Sequence, residues 1–288
     1  MTTSHSEHVP TIAVIGATGQ QGGATAHALL DAGAAVRAVV RDTDRPAAKE
    51  LHERGAQLVT ADLDRSETLT AAFDGADAVF AMTTFAGQNG TDGEVEHGRA
   101  IGDATRAAGV DRIVYSSVGG AERHTGIPHF ESKRRVEEYL DGLGLQTTFV
   151  RPVFFMDNFA SFFSPATEDG ELVVRMPLPA GVPLQLVAVR DVGRVAAAAL
   201  LHPDRVPSGA VEIAGDELTG EQIAALFGNA EGRDARYEAL PLDALADDPD
   251  SQAMFAWFTH LPAYQANFAL TRDLDPEVWD LPSWLAHR

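Results

Sequence analysis

The chain contains no cysteine. That removes a disulfide framework, a cysteine-ligated zinc site and thiol chemistry together. Positive charge is scarce: 22 Lys and Arg stand against 42 Asp and Glu, a formal net charge of −20. A polyanion such as DNA is repelled by such a field, and no Lys/Arg-rich block offers a local exception, so no nucleic-acid partner is expected. The acidity itself reads as solubility. No uninterrupted apolar stretch approaches the roughly 20 residues that a membrane helix needs. Met1 to Pro10 is polar, lacks the apolar core of a secretion signal, and reads as a disordered lead-in. These absences fit a cytoplasmic protein. Ten histidines occur, none in H-x-x-x-H spacing, so a metal site has no support. Repeats, low-complexity tracts and flexible linkers are missing too.

What is present is an α/β pattern in 288 residues, 45% of them hydrophobic. Thr11 to Ile15 is β-branched and apolar without alternation, as a strand buried on both faces of a parallel sheet should be. Glycines follow at Gly16, Gly19 and Gly22, and a helical pattern runs through Ala24, Ala26, Ala28, Leu29 and Leu30. Gly16 lets the chain turn, Gly19 leaves the backbone open to a ligand, and Gly22 lets the helix lie close to the strand. The loop Gly16-Ala17-Thr18-Gly19-Gln20-Gln21-Gly22 and the helix start behind it are therefore a candidate pyrophosphate site.

Further strands are expected at Ala35 to Val40, Leu58 to Thr60, Ala78 to Met82, Arg112 to Ser116 and Gln146 to Val150. Helices are expected at Glu67 to Phe73, Glu94 to Ala108 and Glu131 to Leu140. Six strands alternating with helices make a doubly wound parallel sheet, a Rossmann domain over residues 11–152. Arg41 ends the second strand, where an acidic residue would hold the ribose of NAD and an arginine suits the 2′-phosphate of NADP. Arg45 is one turn on, and the adjacent Asp42 works against a phosphate. Asp62-Leu63, Thr83-Thr84-Phe85 and Ser116-Ser117 fall at the carboxyl edge of the sheet, where ligands of such folds bind. Asp64 or Ser66 is read as a helix cap, Ala86 to Gly93 as a mobile loop, and Gly119 to Phe130 as a loop carrying His124 and His129. Residues 153–288 read as a smaller lobe packed on the first with some chain crossing. In it Asp191 is expected to cap an alanine-rich helix, and Thr219-Gly220-Glu221-Gln222 to form a capping box. A strand is expected at Ala210 to Ala214, and helical aromatic spacing at Ala253 to Phe258 and Pro276 to Leu285. Glu137-Glu138 and Asp247-Asp248 read as solvated faces.

The glycine loop, Arg41, Ser116-Ser117, His129-Phe130-Glu131-Ser132-Lys133 and Arg151-Pro152-Val153-Phe154-Phe155-Met156-Asp157-Asn158 together resemble the NmrA-like proteins. These are atypical short-chain dehydrogenases/reductases, and the resemblance is nearest to a branch that prefers NADP(H) and includes redox sensors. It implies an NADP pocket built from the glycine loop, Arg41, Asp62, Thr83 and Lys133, and a cleft between lobes lined partly by Phe155 and Asn158. It also exposes a departure. Active reductases of the superfamily carry Tyr-x-x-x-Lys; Lys133 remains, but the tyrosine position holds His129. His129 can donate a proton near neutrality, and Ser117 could polarise a carbonyl. Two functions follow: an NADPH-dependent reductase of a small carbonyl or quinone-like acceptor, or an NADP(H) sensor that regulates a protein partner. Substrate and oligomeric state stay open.

Overall fold

The computed structural model describes residues 8–206 and 209–288. The lead-in reading of Met1 to Pro10 therefore lies mostly outside the described residues. The central sheet is parallel and seven-stranded. It contains β1 (Thr11–Ile15), β2 (Ala35–Val40), β3 (Gln57–Thr60), β4 (Ala78–Met82), β5 (Arg112–Ser116), β6 (Gln146–Pro152) and β11 (Ala210–Ile213), in the order β11-β6-β5-β4-β1-β2-β3. The order reverses between β1 and β4, and the crevice above that switch is where doubly wound sheets bind ligands.

Helices cover both faces. Residues of α1 (Gln20–Asp31), α2 (Pro46–Glu53) and α6 (Val189–Leu201) join one apolar core. Residues of α3 (Glu67–Phe73), α4 (Gly90–Ala107) and α5 (Pro128–Gly142) form the other. The near-continuous apolar strands are what this burial on two sides requires.

Beyond β6 the chain builds two three-stranded sheets. One joins β7 (Phe154–Phe155), β10 (Leu184–Val187) and β12 (Asp216–Leu218); the other joins β8 (Ala166–Glu168), β9 (Glu171–Met176) and β13 (Ala235–Ala239). Helix α7 (Gly220–Glu231) packs on β9 and β13, α10 (Leu281–His287) on α7, and α9 (Phe268–Leu274) on α6 and β11, while α8 (Pro249–Phe258) follows β13. Phe154, Phe159, Phe163, Phe255 and Phe258 form one aromatic cluster, with ring centroids 5.3 to 6.3 Å apart. Most of the phenylalanine-rich stretch is thus core, although Phe162 is exposed. The chain also returns to the central sheet, since β11 extends it beside β6 and α6 packs against α1.

Several local expectations are corrected. Helix α4 starts at Gly90, not Glu94, because packing on the sheet overrides the poor helix propensity of Gly90 and Gly93. Helix α5 starts at Pro128, so His129 and Phe130 are helical; the fixed φ of proline suits a first helical position. Neither Asp64 nor Ser66 caps α3 through its side chain. Asp191 lies inside α6, buried, accepting the Trp279 N–H at 2.9 Å, while Asp157 takes the Val189 N–H at the helix start at 2.8 Å. Glu137 is fully buried rather than solvated, gripped by both ends of the Arg151 guanidinium at 2.9 and 2.7 Å. The strip from Pro276 is not helical before Leu281. The Thr219 capping box is present.

Candidate functional site

A groove of about 520 Å³ opens at the carboxyl ends of β1, β2 and β4, a volume typical of small-molecule sites. Its floor follows from the glycine loop. Gly16 sits at φ +66°, a left-handed conformation that favours glycine. At Gly22 a Cβ would stand 2.2 Å from the Gly16 carbonyl oxygen, so α1 can approach β1 only without a side chain there. No side chain caps the α1 N-terminus and no carboxylate stands in its first turn. Its free N–H groups are therefore available to an anion.

Of the residues expected to hold the cofactor, the groove brings together Gly16, Thr18, Gly19, Arg41, Asp62, Leu63, Thr83 and Thr84. Gln20, Gln21, Gly22, Phe85, Ser116 and Lys133 do not line it. Gln21 instead accepts a hydrogen bond from Ser116 Oγ at 2.5 Å, tying the helix start to the end of β5. Arg41 is exposed at the end of β2 with Arg45 beside it on the groove wall. The acidic neighbours are turned aside: Asp42 accepts the Asp44 N–H at 2.8 Å and Asp44 pairs with Lys49 at 3.2 Å. Sequence reading missed His97 and Asp64, which meet at 2.9 Å and both line the groove, and the contribution of Gln88 and Asn89.

Past Thr83 the site becomes buried and densely paired. Lys133 Nζ donates to the carbonyl of Thr83 at 2.7 Å, approaches that of Ser116 at 3.4 Å, and pairs with Glu94 at 3.0 Å. Glu94 has no exposure and also accepts from Ser132 at 2.5 Å and from Thr83 Oγ1 at 3.2 Å. The ammonium lies over the Tyr115 ring, 5.2 Å from its centroid. Burial, reinforced by the Glu94 charge, pushes the Tyr115 phenol well above its ordinary value, so it stays neutral and shares a hydrogen bond with Thr83 at 2.7 Å. Nothing in the sequence pointed to Glu94, which lies inside an amphipathic pattern and meets partners 38 and 39 residues away only after folding.

His129 is one turn before Lys133. Its ring stacks on Phe85, centroids 4.9 Å apart, and its Nδ1 faces the carboxylate of Asp250. Ser117 Oγ is buried without a hydrogen-bond partner among the described residues, leaving a polar atom for a ligand to satisfy. Phe155 and Asn158, offered as substrate contacts, are half-buried just after β6 and outside the groove. The arrangement can therefore hold an anionic ligand through backbone N–H groups and two guanidiniums at one end. Past Thr83, outside the groove lining, lie the His129 imidazole, the buried Ser117 hydroxyl and the buried Lys133 ammonium.

The NmrA-like family profile matches residues 9–278. An NAD(P)H azoreductase of Xenophilus azovorans is 32% identical over 233 residues, covering 81% of this chain and 78% of that one. An NmrA-like family domain-containing oxidoreductase of a Cladobotryum species is 31% identical over 281 residues, covering 85% and 83%. In fold, the chain matches NmrA, a negative transcriptional regulator, with a TM-score of 0.81 at 23% identity over 97% of this chain and 95% of that one. It also matches the triphenylmethane reductase of a Citrobacter species complexed with NADP(H), with a TM-score of 0.77 at 20% identity over 96% and 98%. On the profile and on relatives above 30% identity, this chain belongs to the NmrA-like family.

Proposed function

We propose that the protein is an NADPH-dependent reductase of a small carbonyl or quinone-like acceptor, acting in the cytoplasm. The observation that carries the cofactor choice is the pair Arg41 and Arg45. In a chain of net charge −20 they line the groove with no ion pair or side-chain hydrogen bond of their own among the described residues, while Asp42 and Asp44 are occupied elsewhere. Two uncommitted guanidiniums at the end of β2 suit a 2′-phosphate. The glycine loop and the uncapped α1 N-terminus would hold the pyrophosphate, with Asp62, Leu63, Thr83 and Thr84 along the walls. Bound NADPH would supply a hydride. His129 would then give the proton, Ser117 Oγ would orient the acceptor's oxygen, and Phe85, Phe155 and Asn158 would shape its pocket. Lys133 would act from beneath through its tie to Thr83. Support for a reductase comes from the azoreductase and oxidoreductase relatives.

The sensor reading has an observation in its favour as well. Phe85 covers one face of His129, and the Lys133 ammonium is already satisfied by Glu94 and two carbonyls. A site so closed could register NADP(H) without turning it over and relay its state to a protein partner. The decisive experiment is rapid-mixing oxidation of bound NADPH against a panel of quinones, aldehydes and azo dyes. Oxidation above background by any of these supports the reductase; tight NADPH binding with none supports the sensor.

A further inference from the structure

We infer that Asp250, on the C-terminal lobe, is a positioning residue that fixes the orientation and tautomer of His129; the catalytic part rests on the reductase reading. The two residues are 121 apart in sequence and meet through both carboxylate oxygens. Oδ1 accepts the backbone N–H of His129 at 2.9 Å. That N–H belongs to the first turn of α5, where the helix itself offers no acceptor and the N-cap residue Ile127 supplies no side-chain cap. Oδ2 faces Nδ1 of the ring. Asp250 thus caps α5 with one oxygen and sets the other against Nδ1 of its imidazole as an ion-pair contact.

The carboxylate is built to stay charged. It stands in the first turn of α8, which Asp248 caps through the Ser251 N–H at 3.1 Å, and it points at the first turn of α5. Both helix dipoles favour an anion there. Burial pushes the Asp250 carboxyl up, and the contacts with the His129 ring and N–H overcome this and hold it below the usual carboxylate value.

The ring has little freedom left. Phe85 stacks on one face at 26°, and Phe130 meets it edge-on at 4.7 Å and 86°. With Nδ1 turned to Asp250, Nε2 is the ring nitrogen that remains for a ligand. An acidic partner on Nδ1 selects the tautomer with the proton there, which keeps Nε2 able to give up a proton and take it back. Bound NADPH would supply the hydride and so be the two-electron reductant. Nε2–H of the imidazolium would give the acceptor its proton, leaving His129 neutral with Nδ1–H facing Asp250. Solvent returns the Nε2 proton. Asp250 comes from α8, 121 residues beyond His129, so the proton donor is in register only in the folded chain.

The test has one arm without cofactor. Protein labelled with ¹⁵N-histidine, with the His129 signals assigned from His129→Gln, reports which ring nitrogen carries the proton in the neutral form. The expected result is Nδ1–H in the parent and in Asp250→Glu. Asp250→Asn, whose amide NH₂ can donate to Nδ1, should move the proton to Nε2. A proton on Nε2 in the parent, or the same tautomer in parent and Asp250→Asn, overturns the proposal; the parent measurement stands even if a variant fails to fold. The second arm measures NADPH oxidation. Asp250→Asn should lower kcat about tenfold to a hundredfold, towards the low end of the about 10²–10⁴ that general acid catalysis is worth. The KM for NADPH should be unchanged, and adding the change to His129→Gln should cost nothing more. Additive losses overturn the proposal. Undiminished turnover in His129→Gln instead overturns the catalytic reading of His129, an outcome the tautomer measurement keeps separate.

Discussion

The two ends of the candidate site are made in different ways. The Arg41 end is assembled within one strand-turn-helix-strand unit, from the glycine loop at 16–22 and the strand end at 41. It is open, its cations are uncommitted, and each residue's role follows from its neighbours in sequence. The Lys133 end is assembled across the whole chain. Lys133 meets Glu94 and Thr83 from other elements, and His129 meets Asp250 from α8, 121 residues further on. It is buried and its charges are neutralised by partners. An open cation stabilises a ligand it has yet to meet, whereas a buried pair stabilises the fold first. Substitutions at the two ends should therefore separate binding from stability.

The largest effect is expected at Lys133. Lys133→Met would leave Glu94 fully buried without its cation, and breaking a buried pair from one side costs about 3–5 kcal/mol. Urea unfolding should show that loss, along with weaker NADPH binding. Adding Glu94→Gln, which removes the stranded charge, should restore much of the stability but not the affinity. A stable Lys133→Met single variant would mean that the ammonium does not balance Glu94, and the contrast between the two ends would fail.

Arg41→Ala should do the opposite. The side chain is exposed and unpaired, so the urea midpoint should not move. A charge-assisted contact to a 2′-phosphate is worth about 1.5–3 kcal/mol, which is roughly tenfold or more in affinity. NADPH affinity should fall by that factor while NADH affinity holds, in titrations of both cofactors on both proteins. Equal affinities of the parent for the two would remove Arg41 from cofactor choice.

The same contrast explains what the sequence could show. The strands of a doubly wound sheet, the glycine turn and part of the groove lining were legible, because apolar strand runs, turn glycines and strand ends are local signals. Glu94, Glu137, Asp191 and Asp250 were not. Each is a carboxylate in an ordinary helical context, and its burial is decided by a partner brought in by the fold: Lys133, Arg151, the Trp279 N–H and His129. Periodicity reports which face of a helix is apolar, not which charge on that helix will be neutralised. The early start of α4 was hidden for a related reason, because Gly90 and Gly93 carry a loop signal that packing overrides. For α5 the signal was there, in Pro128 immediately before His129.

Asp191 carries this rule away from the site and makes it measurable by pH. Burial raises its carboxyl to about 7; the Trp279 N–H and Arg190 lower it and the Asp275 charge raises it further. Arg194 and Glu277 complete the cluster, Arg194 bonding Asp275 at 2.8 Å and Glu277 at 2.9 Å. Between pH about 4 and about 7 the folded protein holds a proton on Asp191 that the unfolded chain, near the ordinary value of 3.8, has released. The native state then binds more protons, so this group's contribution to stability falls as pH rises through that window. Thermal unfolding of the parent at pH 5, 6, 7 and 8 should show this fall, and Asp191→Asn, which cannot titrate, should flatten it. An identical pH profile in the two proteins would show that Asp191 is ionised throughout.

The smallest effect is expected where the structure is most local. Thr219 accepts the Gln222 N–H through Oγ1 at 3.4 Å, and the Gln222 side chain takes the Thr219 N–H in return at 2.8 Å. Both partners lie within four residues, and the motif is visible in the sequence without any fold. Thr219→Ala removes one cap bond at an exposed helix start and should cost about 1 kcal/mol. Because α7 lines no part of the groove, NADPH affinity and the preference over NADH should not change. Urea unfolding and a cofactor titration on the same preparation decide it. The Lys133→Met loss should exceed the Thr219→Ala loss about threefold or more, since one strands a buried charge and the other frees a donor that water can satisfy. Comparable losses would mean that Glu94 is not cut off from solvent, and that the two ends of the site differ less in kind than the packing around Lys133 implies.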